Sequence, residues 1–324
     1  MRFRTSVLLA GVLAVSHVGP AAAQDRINFV VDMTFYGDNT EFFNPWRDGE
    51  TLLGAESRLF LDIDLDEHVT VRAGLFGNHR FGDDHNFENV RPVLALHVKN
   101  DITRFIIGSI ESGTRQVGLG PDRLGPHGLL PPLQRTSLAF SRPDEAGLQL
   151  TFDTDRFEQD TWINWQQLNT ERNRELFDTG VRGQLGILDL PVWLSYQFHL
   201  VHQGGQLFDS GPVGDSWAGG PGLIVELPAG VFDRQTVEAH GLVSRDVPDR
   251  VAADDADTGF GLFTRYAAEK AGWRAHVIAW RARDFVKREG DANYGSRRQD
   301  GRLVGLRHYF EAGLTRTYYP AEEV

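Results

Sequence analysis

The sequence predicts an all-β fold: one antiparallel transmembrane β-barrel of fourteen strands, bounded by twelve and sixteen, behind a cleaved signal peptide. Three observations carry this. Short runs of residues alternate apolar and polar with a period of two, which is the side-chain period of a strand. The polar connections between those runs alternate short and long. After the signal peptide, no apolar stretch approaches the roughly 20 residues that a spanning helix needs.

Arg2 and Arg4 precede an apolar run from Val7 to Val15, and then the small residues Ala21, Ala22 and Ala23. Charge, apolar core and small residues in that order read as a secretory signal over residues 1–23. Residues 24–324 are then a single barrel domain.

The clearest strands lie between Leu59 and Phe76. Leu59, Leu61, Ile63 and Leu65 share one face, while Phe60, Asp62, Asp64 and Asp66 share the other. After a turn at Asp66 and Glu67, Val69, Val71, Ala73 and Leu75 form a second apolar row opposite Thr70, Arg72 and Gly74. Two such runs joined by a short polar turn make a hairpin. A helix would put Asp62 and Asp66 among the apolar side chains. Similar rows recur at Pro92–Val98, at Ile163 and Trp165, at Val192–Leu200 and at Ala275–Ala279. Further candidates are Ile27–Tyr36, Thr103–Ile110, Ser137–Ser141, Gly147–Asp153, Phe177–Ile187, Leu223–Leu227, Thr236–Ser244, Gly259–Ala267, Gly301–Phe310 and Gly313–Tyr319.

Long loops are expected at about 37–49, 78–89, 111–135, 203–222, 245–258 and 285–300. Short turns at 66–67, 99–101, 153–157 and 186–191 separate them. That rhythm puts both chain ends on the periplasmic side. Strands of nine to twelve residues match the length that crosses a bilayer at a tilt. Trp162, Trp193, Trp280, Tyr309, Tyr318 and Tyr319 are expected near strand ends, as an interfacial aromatic belt.

The chain has no cysteine and a formal net charge of −12. Disulfides and thiolate metal sites are excluded, and so acidic a surface does not suit nucleic acid. The polar rows carry ions of both signs, so they read as the wall of a hydrated lumen. Asp62, Asp64, Arg72, His97, Lys99, Arg182 and Arg274 are the expected lining. The Gly- and Pro-rich stretch 111–135 is a candidate to fold inward, and Arg115, Arg123, His127 and Arg135 would then form a basic constriction. In Phe35–Gly54, the residues Asp38, Asn39, Glu41, Trp46 and Arg47 mix carboxylate, amide, indole and guanidinium groups that suit a saccharide. The acidic groups near 83–85 and 254–257 lack the spacing of a calcium loop. They read as solvated surface, with no metal and no cofactor expected.

Chemistry is sparse. There is no GxSxG elbow, HExxH or P-loop. The pairs His199 with Ser195 and His240 with Ser244 are four residues apart, roughly 13 Å along a strand. On these grounds the chain is expected not to be an enzyme.

The signal peptide, alternating strands and loop rhythm together resemble the porin-like outer-membrane proteins of Gram-negative bacteria. The segment DNTEFFNPWRDGETLLG is similar to a stretch of uncharacterised barrels of that kind and implies no activity. The resemblance implies an outer-membrane channel for a small hydrophilic solute, with a saccharide preferred. Lipid, lipopolysaccharide and the barrel-assembly machinery would be its partners. One alternative is an outer-membrane lipid or lipopolysaccharide hydrolase. Another is a structural barrel that binds a partner through its loops. The chain departs from the common pattern in its end, where five residues follow Tyr319 instead of a terminal aromatic.

Overall fold

The computed structural model describes residues 26–83, 90–113, 124–252, 254 and 256–318, with the backbone of Gly11–Leu13. Most of the expected signal peptide lies outside the described residues. The strands are β1 (Gly11–Leu13), β2 (Ile27–Thr40), β3 (Glu50–Asp64), β4 (Val69–Arg80) and β5 (Val90–Lys99). Next come β6 (Thr103–Ile110), β7 (Glu145–Asp153), β8 (Phe157–Gln167), β9 (Glu175–Gly186) and β10 (Val192–Gly204). The last five are β11 (Gly214–Leu227), β12 (Arg234–Val247), β13 (Asp257–Lys270), β14 (Trp273–Arg283) and β15 (Leu306–Arg316). Each pairs antiparallel with the next in one continuous sheet. The fourteen strands from β2 to β15 form the wall. At the long-loop rim the loop after β2 reaches β15 and the loop that precedes it. There the Arg307 guanidinium of β15 lies 3.8 Å from the centre of the Trp46 ring, and Gln299 N donates to Pro45 O at 3.1 Å.

The period-two rows decide which side faces out. Leu59 and Leu61 are 40% and 42% exposed, whereas Phe60 between them is 8% exposed. The apolar row therefore faces outward and the row with Asp62 and Asp64 faces inward. That is the reverse of a soluble sandwich and the arrangement of an outer-membrane-type barrel. Phe29, Leu94, Ile107, Leu262, Val277, Phe310 and Leu314 continue the outer apolar band. Val277 sits near the middle of β14 on that band. A Val277→Arg change is expected to cost about 2–4 kcal/mol, read by urea titration in lipid vesicles. An unchanged midpoint would mean that this face does not meet hydrocarbon.

Three expectations about elements need correction. Ser137–Ser141 is not a strand: Leu138–Ser141 is one helical turn, held inside the barrel between Pro132 and Pro143. The two strands expected at Gly301–Phe310 and Gly313–Tyr319 are replaced by one among the described residues, β15, which runs from Leu306 to Arg316. Gly313 is no breaker there, because a Cβ on it would come within 2.2 Å of the His276 ring opposite. The stretch 203–222 is not all loop, since β11 begins at Gly214.

The aromatic belt is also partly misplaced. Trp162 and Trp280 are each 2% exposed, and Tyr309 points the same way. They have the parity of the inward rows. Trp165, Phe177 and Trp217 supply outward aromatics near the long-loop ends, and Trp273 does so at the other rim.

Two described segments occupy the interior. Segment 124–142 folds inward and buries Leu129, Leu130 and Leu133, while Phe285 and Tyr294 come in from the loop before β15. They pack with Ile106, Trp162, Phe263, Ile278 and Trp280 of the wall. Each such side chain removed from water contributes about 1.5–3 kcal/mol. Inner-wall polar groups hold the backbone of these segments. Leu130 N donates to Gln197 at 2.9 Å, Val286 N to Ser244 at 3.2 Å and Arg288 N to Ser216 at 2.8 Å. The two segments also bind each other, through Arg135 N to Glu289 O at 2.7 Å and Asp291 N to Pro131 O at 2.9 Å.

Candidate functional site

The inward rows and the two inserted segments build a chain of buried ions. His127 is wholly buried, with Nε2 2.7 Å from Glu145 and Nδ1 2.7 Å from Asp160. Its ring stacks on Trp162 at 3.8 Å. Burial alone would push this imidazole down, but the Asp160 and Glu145 carboxylates outweigh it and hold the pKa up at about 10. It stays an imidazolium at neutral pH and cannot serve as a base.

Beyond Trp162 lies Asp178, which accepts from Trp162 Nε1 at 3.0 Å, Asn164 at 2.8 Å and Gln166 at 2.8 Å, and faces His199 at 3.3 Å. Asp178, His199 and Glu289 bring ligand atoms within 4.8 Å of one another, a spacing a cation could use. The positive charge is supplied by the protein itself. Arg142 binds Glu289 at 2.8 Å, and Lys287 is buried nearby. Burial draws the Lys287 ammonium down to about 8, against the pull of Glu289, Asp178 and Asp246.

The expected lumen residues fall into place by parity. Asp62, Asp64, Arg72, His97, Arg182 and Arg274 all lie on the inner rows, and Lys99 has the same parity but is exposed at a short turn. They are paired. Arg72 holds Asp62 with two hydrogen bonds of 2.7 and 2.8 Å, Arg182 meets Glu158 at 2.9 Å, and Arg274 binds Glu269. Of the four constriction candidates, His127 is buried inside and Arg135 is exposed. Arg115 and Arg123 lie outside the described residues.

The saccharide candidates do not share one face. Asp38 is buried, Asn39 points out and accepts from Thr51 at 2.7 Å, and Glu41 is exposed. Trp46 has Arg307 and Arg298 over its ring, and Arg47 binds Asp291 at 2.5 Å and also Glu50.

A cluster that sequence reasoning missed lies on the outer wall. His202 of β10 has the parity of the outward Leu194 and Phe198, and Asp215 of β11 is its cross-strand partner. His202 Nδ1 is 2.7 Å from Asp215 Oδ1. Arg250 donates to the same carboxylate at 2.6 and 3.0 Å. Phe177 lies 4.9 Å from the His202 ring, and Trp165 lies 5.6 Å from Phe177. Gly204 leaves room for the imidazole, since a Cβ there would come within 2.3 Å of Nε2. In the neutral ring, an Nδ1 proton donated to Asp215 leaves the lone pair on Nε2.

Among the histidines that face acids, those inside the barrel are closed to a membrane lipid. The side chains of His127 and His199 are 0% exposed, whereas that of His202 is 17% exposed on the outer wall. The imidazole–carboxylate pair can take a proton from water and return it to a leaving alkoxide. Ser244 is occupied in holding the Val286 backbone, and His240 meets Glu238 at 3.1 Å. The sequence signal for His202 was a histidine on a dry row near a strand end. Asp215 was hidden because 203–222 reads as loop.

The profile of a protein family described as lipid A 3′-O-deacylase-type matches residues 19–318. The chain belongs to that family. Its name is that of an enzyme, which corrects the expectation that the chain is not one. No curated protein is similar enough in sequence to be matched. Among solved structures, OccAB1 of Acinetobacter baumannii is 12% identical over 83% of this chain and 68% of that one, with a TM-score of 0.47. OccK8 (OprE) of Pseudomonas aeruginosa is 11% identical over 83% and 72%, at 0.48. OmpT of Vibrio cholerae, an outer membrane protein, is 10% identical over 88% and 96%, at 0.40. These are likenesses of fold at low identity.

Proposed function

We propose that this chain is an outer-membrane deacylase that hydrolyses an ester-linked acyl chain of a lipid A-type glycolipid. The observation that carries the reading is the family match across residues 19–318. The outward His202–Asp215 pair supports it, because it lies on the wall a lipid touches, near the long-loop rim. In the reaction, His202 Nε2 takes a proton from water and the water oxygen bonds to the ester carbonyl carbon. The carbon–alkoxide bond then breaks, and the imidazolium returns its proton to the leaving oxygen. The products are a fatty acid and the free hydroxyl of the glycolipid.

The test is to incubate the folded, purified barrel with lipid A in mixed micelles and follow the glycolipid by mass spectrometry. Loss of one ester-linked acyl chain is the expected result. A folded barrel that releases no fatty acid would overturn the reading.

The channel reading retains one observation, an inner wall lined with ions of both signs. For a small hydrophilic solute or saccharide to pass, segments 124–142 and 285–298 would have to leave the interior. Stable conductance steps in a planar bilayer, blocked by oligosaccharide, would favour it. In either case the partners are outer-membrane lipid and the barrel-assembly machinery.

A further inference from the structure

A groove of about 370 Å³ crosses the outer face of β13, β14 and β15. It exists because Ala279 lies between larger neighbours, with Thr264 and Phe310 opposite it on the two flanking strands. One step nearer the long-loop rim is the row Leu262, Arg281 and His308, and one step further Phe260, Arg283 and Leu306. All of these have the outward parity. Arg281 is two residues from the end of its strand, roughly 7 Å along the wall. Arg283 has Asp284 at 3.5 Å. Arg281 and His308 have no carboxylate partner among the described residues.

Below the groove the wall is apolar and low. Phe310 and Leu314 are 67% and 66% exposed, with Ala312 between them and Ala275 opposite Leu314. Two guanidinium groups and an imidazole therefore stand on the long-loop side of an apolar strip of the outer wall. In a chain of net charge −12, an outward cationic row beside an apolar band needs an anionic occupant to explain it.

The geometry points to a binding site for a phosphate-bearing membrane lipid, its phosphate held by Arg281, Arg283 and His308 and one acyl chain in the Ala279 groove. Guanidinium forks match phosphate oxygens and keep their charge at any working pH. The site lies on other strands than the His202–Asp215 pair. It concerns binding, and it holds whether or not an ester is cut.

The test uses the full barrel in phosphatidylcholine nanodiscs doped with ether-linked phosphatidic acid or, in parallel, ether-linked diacylglycerol, so hydrolysis cannot enter. Native mass spectrometry counts the lipid retained after detergent release. The parent should retain phosphatidic acid in preference to diacylglycerol. The variant R281Q/R283Q/H308Q should lose that preference by about tenfold, the scale of one to two charge-assisted contacts. A second variant, Ala279→Leu, fills the groove without altering charge and should lower retention of both lipids. Equal retention of the two lipids by the parent would overturn the site. So would an unaltered preference in the charge variant, or unaltered retention in Ala279→Leu. Should the charge variant fail to fold, the Ala279→Leu result decides.

Discussion

His202→Ala is expected to slow acyl release from lipid A by about two to four orders of magnitude, the range that a general acid–base group supplies. Its ring is partly exposed on the outer wall, and its side-chain contacts are with Asp215 and Phe177. The barrel should therefore fold as before, and the loss should appear in turnover, not in yield of folded protein. Asp215→Asn should also fall sharply. The amide can donate to Nδ1, which leaves the proton on Nε2 and removes the lone pair the reaction needs. Initial rates by mass spectrometry check both. A His202→Ala barrel that hydrolyses at the parent's rate would remove this pair from the mechanism, yet leave the deacylase reading standing.

The largest stability effect is expected at His127. His127→Gln strips the imidazolium from between Glu145 and Asp160 and leaves two carboxylates uncompensated, one of them wholly buried. Breaking a buried pair from one side costs about 3–5 kcal/mol. Segment 124–142 would lose its anchor, so single-channel current should appear or rise along with the stability loss.

The same group sets a pH dependence. Its pKa is about 10 in the fold and near 6.5 in the unfolded chain. The stabilisation is therefore complete below about 6.5 and is lost as pH rises through about 10. Lys287 acts in the opposite sense above about 8, because its depressed pKa lets the unfolded chain bind the extra proton there. The clean window is from about 6.5 to 8. Urea midpoints across it should fall in the parent and stay flat in His127→Gln. A parent midpoint that rises through that window would overturn the assignment.

Much of the wall was legible in the sequence. The Leu59–Phe76 hairpin, the Val192–Leu200 row and the Ala275–Ala279 row are where the period-two pattern put them, with apolar residues out. A strand pattern is local, so it survives without knowledge of the rest of the fold. Gly313 starts an expected strand and the glycines of 219–222 fall in an expected loop, but in a curled sheet they make room for a facing ring or backbone. Trp162 and Trp280 read as belt residues from their distance to a strand end, whereas their parity put them inside.

In the sequence the charged inner row reads as the wall of a hydrated lumen. In the structure Asp62 and Arg72, and Glu238 and Arg265, are cross-strand partners that neutralise each other, so a largely filled interior tolerates them. Pairing across strands depends on register. No single run of residues contains it.

By itself, the sequence determined the strand class, the inside-out polarity of the wall and the rhythm of its loops. Each follows from a periodicity or order within a few neighbouring residues. Only the tertiary structure decided that segments 124–142 and 285–298 fill the barrel. It alone placed His127 between two acids, and His202 beside Asp215 on the outer face. Those outcomes depend on residues far apart in the chain meeting in one register, which burial of apolar surface and compensation of buried charge select only in the assembled barrel.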